Sequence, residues 1–118
     1  MLRILALAAM LLLVPPAYGQ DFEKGLDAYN RFDYETALRK WEPLAEAGES
    51  VVQYYFGVMY GIGNGVAQDY VQAYMWLTLA AAQGNEEAAE FREIVARGMT
   101  PPHVAEAERL AREWQEGH

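Results

Sequence analysis

The 118-residue chain contains no cysteine, which excludes disulfide staples, thiolate metal sites and thiol nucleophiles. Basic residues are scarce: nine Lys and Arg stand against 17 Asp and Glu, a net charge of −8. That sign argues against nucleic acid and anionic lipid as partners, because both select basic surfaces. Serine occurs once, at Ser50, and histidine only at His103 and His118. A Ser-x-x-Lys pattern, a Ser/His/Asp set and a histidine zinc cluster are therefore all missing. No alternation of apolar and polar residues marks a strand. What remains, 53% hydrophobic and 22% charged, is the composition of one globular domain.

The amino end reads differently from the rest. Arg3 precedes an apolar run, Ile4 to Val14, which Pro15 and Pro16 break, and Ala17-Tyr18-Gly19 offers small residues at the −3 and −1 positions of a cleavage site. The pattern predicts a secretory signal peptide over 1–19 and a mature domain over 20–118, periplasmic or secreted. Eleven apolar residues are too few to span a bilayer, which takes about 20, so no stable membrane insertion is expected after cleavage. Without disulfides, the exported domain depends on packing alone.

Beyond the junction the apolar residues recur at helical spacing. Phe22, Leu26 and Tyr29 mark a first helix, and Tyr34, Ala37, Leu38, Trp41, Leu44 and Ala45 a second, N-capped by Asp33 and ended by Gly48. Pro43 falls inside the second helix, where it is expected to kink it or loosen its hydrogen bonding. Val52, Phe56, Met59 and Tyr60 define a third with Ser50 as candidate cap, and Gly61 to Gly65 reads as a turn. Asp69 caps a fourth helix carrying Ala73, Trp76, Leu77, Ala80 and Ala81, and Gly84 ends it. Asn85 caps a fifth, with Ala88, Phe91, Ile94 and Val95 as its inner stripe; Glu86 and Glu87 suit its positive end, and Gly98 closes it. Thr100 with Pro101 at the first helical position opens a sixth, whose stripe is Val104, Ala107, Leu110, Ala111 and Trp114.

A shift of 36 places superposes Asp33 on Asp69, Tyr34 on Tyr70, Ala37 on Ala73, Ala45 on Ala81 and Gly48 on Gly84. A cap, a core alanine and a stop glycine return together. The period, with two helices per unit, predicts an all-α fold, a short α/α solenoid of antiparallel hairpins. Trp41 and Trp76 stand 35 apart and slip by one position.

The segment Val52-Gln53-Tyr54-Tyr55-Phe56-Gly57-Val58-Met59-Tyr60, followed by Gly63-Asn64-Gly65-Val66, Gln68-Asp69, Ala73, Trp76, Ala80-Ala81 and Gly84, closely resembles one Sel-one-like repeat, a relative of the tetratricopeptide repeat. Residues 22–48 resemble the degenerate leading unit of such chains. Residues 85–115 are similar to a partial unit plus terminal helix, with the Met99-Thr100-Pro101 sequence seen in small exported members. Departures are Phe56 where leucine is usual, Ala67 where proline is common, and a first unit without the glycine loop. The resemblance implies a helical-hairpin stack that binds another envelope protein as adaptor or regulator, often in bacteria.

Other chemistries fare less well. Gly61-x-Gly63-x-Gly65 lacks the spacing and preceding strand of a dinucleotide fingerprint, and its glycines serve a turn between helices. Glu86, Glu87, Glu90 and Glu93 point outward at helical spacing and do not form a calcium loop. No cofactor, metal or catalytic residue is expected, and the chain is expected not to be an enzyme. A binder of a small ligand or cell-wall fragment is the alternative, and a hydrolase a weaker one. Aromatic residues crowd the second unit beyond what one helical seam needs. Tyr55, Val58 and Ile62 form a second stripe beside the buried one. With Tyr74 and Thr78, at positions where the resembled family varies, they are the candidate partner-binding residues; neighbouring hairpins burying them is the competing expectation. A short stack also leaves two uncovered ends, which permits a homodimer.

Overall fold

The computed structural model describes residues 16–118. Residues 1–15, most of the expected signal peptide, lie outside that range, and the expected Gly19–Gln20 junction falls within the first helix. The described chain is all-α, a short helical-repeat solenoid of six helices: α1 (Pro16–Asn30), α2 (Tyr34–Glu46), α3 (Ser50–Ile62), α4 (Tyr70–Ala82), α5 (Glu86–Ala96) and α6 (Pro101–Glu116). No strand occurs among the described residues.

Local chemistry sets the boundaries. Side-chain oxygens of Asp33, Asp69, Asn85 and Thr100 accept from the amides of Thr36, Gln72, Ala88 and His103, at 3.4, 3.1, 2.9 and 3.4 Å. Each bond satisfies one free donor of a first turn. Gly48 and Gly84 sit at φ +93° and +94°, the left-handed conformation that lets the next amide reach back to the helix. That reach corrects the expected role of Ser50. The amide of Glu49 donates to Leu44 O at 3.0 Å, making Glu49 the extended cap residue, without a side-chain cap, and Ser50 the first residue of α3. The turn expected from Gly61 begins two residues later: α3 runs to Ile62 and Gly63 ends it at φ +87°. Gly61 stays helical, and its bare Cα admits the ring of Phe91. α2 also continues past Pro43 to Glu46.

α1 packs on α2 and α3 on α4, while α5 lies against both α4 and α3. Bare glycines set these distances: Gly25 lies under Trp41, and Gly57 under Leu77. The last two helices do not pair along their length; α6 lies on α4 instead. Its small residues Ala107 and Ala111 allow the close approach, and they belong to different cores. One core gathers Trp41, Leu44, Val52, Phe56, Met59, Trp76 and Leu79. The other gathers Ala73, Tyr74, Leu77, Ala80, Ala88 and Val95. Each large side chain buried this way contributes about 1.5–3 kcal/mol.

Candidate functional site

α3 meets α2, α4 and α5, and its faces have separate tasks. Val52, Phe56 and Met59 turn into the first core, and Gly57 and Gly61 receive α4 and α5. The remaining face carries Val51, Tyr55, Val58 and Ile62, spaced four, three and four residues apart and so aligned on one side of the helix. Val51 is 47% and Ile62 56% exposed, with Val58 and Tyr55 half-buried between them. The result is a shallow apolar line about three turns long.

Both edges of the line are built. On one, Tyr55 leans on Trp41, stacked at 4.9 Å, and on Tyr29 at 5.1 Å. Trp41 is itself fixed by its indole N–H donating to Phe22 O at 3.1 Å. On the other edge, Tyr54 approaches Glu87 and Glu90 of α5. Burial first, and these carboxylates together with the neighbouring Tyr55, raise the Tyr54 phenol above its ordinary value. α5 adds Ile94, 53% exposed, which corrects its expected place in the inner stripe of that helix. Phe91 and Val95 take the contact with α3, so the neighbouring Ile94 is turned outward.

The five expected partner-binding residues thus do not share one surface. Tyr55, Val58 and Ile62 lie together on α3. Tyr74 is 9% exposed and belongs to the second core, where the Arg92 guanidinium sits 5.7 Å over its ring. Burial raises the Tyr74 phenol against the opposing pull of Arg92. Thr78, one turn along the same face of α4, is half-buried and its hydroxyl has no hydrogen-bond partner. The physical reason is the docking of α5 and α6 on α4, which covers that face. Val51 escaped the sequence reading although it continues the stripe one turn back from Tyr55, and Ile94 escaped because periodicity cannot say which of two adjacent apolar residues faces inward.

The histidines stand apart. His118 stacks on Trp114 at 3.9 Å, and its ring lies 3.1 Å from Glu46 at the end of α2, which also accepts from Trp114 Nε1 at 3.3 Å. Glu86, Glu87 and Glu90 line an acidic cleft with Gly84 and Asn85. Among the described residues, no group of three or more His, Asp or Glu comes together as a metal site would require. None of the described helices is long and apolar enough to cross a membrane. No family model matches the sequence, and no curated protein matches it significantly.

Proposed function

We propose that the chain is a non-catalytic helical-repeat protein of the Sel-one-like type, exported to the bacterial envelope, where it binds another protein as adaptor or regulator. The observation that carries this reading is the apolar line Val51, Tyr55, Val58 and Ile62 on α3, with Ile94 exposed on α5. An exposed apolar face beside charge, on a rigid repeat scaffold, is what an interaction surface requires. Its heptad-like spacing suits an amphipathic helix of the partner. The resemblance of residues 52–84 to a Sel-one-like unit supports the family part of this reading, and the signal-like amino end supports the compartment.

The test is affinity capture from envelope extract with the mature domain and with a Val58→Asp, Ile62→Asp double variant of matched melting temperature. Loss of a specific partner in the variant alone supports the reading, and identical capture by both sinks it. A small-ligand role is favoured by one observation, the cleft of about 520 Å³ between Glu46, Gln83, Trp114 and His118. A rise in melting temperature with a cell-wall fragment, lost in Trp114→Ala, would move the conclusion there.

A further inference from the structure

The opposite side of α3 holds a second feature. α2 and α4 do not pack along one another, and the gap between them is a cleft of about 290 Å³. Phe56 and Trp76, 5% and 6% exposed, form its floor with the half-buried ring of Tyr60. Glu42 and Glu46, both exposed and one turn apart on α2, stand at its rim, and no Lys or Arg lines it. Glu46 is held in place by Trp114 and His118. Glu42 has no ion-pair partner among the described residues. Its charge reaches Tyr60, whose phenol is raised by burial, then Asp69, then Glu42.

Carboxylates above aromatic rings in a narrow trough match a particular chemistry. A Lys or Arg side chain lays its apolar stem on the rings and sets its cation between the acids, gaining both an ion pair and a cation–π contact. A bare metal ion would meet mostly ring carbon here, where it needs oxygen. The acidic side of α2 is longer than one such group. Glu35, Glu42 and Glu46 follow one face over 11 residues, roughly 16 Å at helical rise. About five residues of extended chain cover that distance. Arg39 stands on the same side between Glu35 and Glu42 and forms no ion pair with either.

We propose that the α2–α4 cleft binds an extended basic segment of a partner protein, one Lys or Arg side chain lying over Tyr60 and Trp76 between Glu42 and Glu46. The site shares no residue with the apolar line of α3, so the two readings stand or fall separately.

The probe is a blocked hexapeptide of alternating alanine and lysine, titrated by calorimetry against the full chain. The expected result is saturable binding that weakens with salt, falls about tenfold in Glu42→Gln and is unchanged in Val58→Asp. Because Glu42 is exposed and unpaired, Glu42→Gln should melt with the parent, and Tyr60→Leu provides a second variant that keeps the apolar floor but loses the ring face. Absence of binding up to millimolar peptide, equal affinity in Glu42→Gln, equal binding of the glutamate counterpart peptide, or a match by free spermidine would each overturn the proposal. A loss in Val58→Asp with none in Glu42→Gln would place the peptide on α3 and overturn it as well.

Discussion

The α1–α2 and α3–α4 hairpins are built to one plan and differ in their turns and in what fills the seam. Each places a bare glycine of its first helix under a bulky residue of its second, Gly25 under Trp41 and Gly57 under Leu77. Trp41 and Leu77 are 36 positions apart, Gly25 and Gly57 only 32. The connections explain the gap: residues 31–33 join the first pair and residues 63–69 the second, four residues longer. The echo of 36 therefore belongs to the second helices and their caps, while the first helices repeat at 32. A repeat unit tolerates such an insertion because the seam, not the turn, carries its burial.

The seams themselves are unlike. In the first hairpin Trp41 is the hub of a ring cluster with Phe22, Tyr29 and Tyr55 at 6.1, 5.7 and 4.9 Å. In the second, the aliphatic Leu77 fills the same position over Gly57. The sharpest way to break the likeness is a pair of truncations. Trp41→Ala should cost about 3–5 kcal/mol and Leu77→Ala about 2–5, each measured by denaturant melts. Trp41→Ala should also loosen Tyr55, and with it one edge of the α3 line, so near-UV circular dichroism should change more than in Leu77→Ala.

Gln53 joins the two hairpins. Fully buried, it donates to Ala45 O at 3.1 Å and accepts from Gln83 at 2.9 Å, linking the ends of α2 and α4. Gln53→Leu leaves both partners without that bond and should cost about 1–3 kcal/mol. Hydrogen exchange should show the loss concentrated at the α2–α3 turn; a uniform change would mean the two units are not coupled there.

The turns supply a smaller contrast. α3 ends on Gly63 at φ +87°, whereas the turn after α1 holds Phe32 at φ +64° and 77% exposed. A phenylalanine in the left-handed region carries strain that glycine lacks. Phe32→Gly should therefore stabilise by about 1 kcal/mol, whereas Gly63→Ala should destabilise by a similar amount. A loss of stability in Phe32→Gly would show that its ring, edge-on to Tyr34, contributes more than the strain takes away.

The smallest effect is one of acidity. Hydrogen bonds from Thr36, side chain first and backbone second, hold the Asp33 carboxyl below its ordinary 3.8. A lowered folded value means that the stabilisation is complete above about pH 4 and is lost as pH falls through the folded pKa. Asp33→Asn should flatten that part of the acid limb of stability, and an unchanged limb would count against the cap.

Most of the fold was legible in advance because its signals are short-range. A capping side chain bonds an amide three residues away and a stop glycine acts on the turn before it, so Asp33, Asp69, Asn85, Thr100, Gly48 and Gly84 announce the same boundaries in sequence and in structure. The candidate site was legible only in part. Tyr55, Val58 and Ile62 share a face by spacing alone, but exposure depends on which helix comes to rest on which.

The amino-acid order by itself determined that the described chain would be helices of about these lengths, repeated as hairpins, because local hydrogen bonding and periodic burial need no distant partner. Tertiary structure alone decided that α6 would lie on α4, that Tyr74 would be covered and Ile94 left open, and that a gap would remain between α2 and α4. Those outcomes follow from how small residues let helices approach, and that geometry involves residues far apart in the chain.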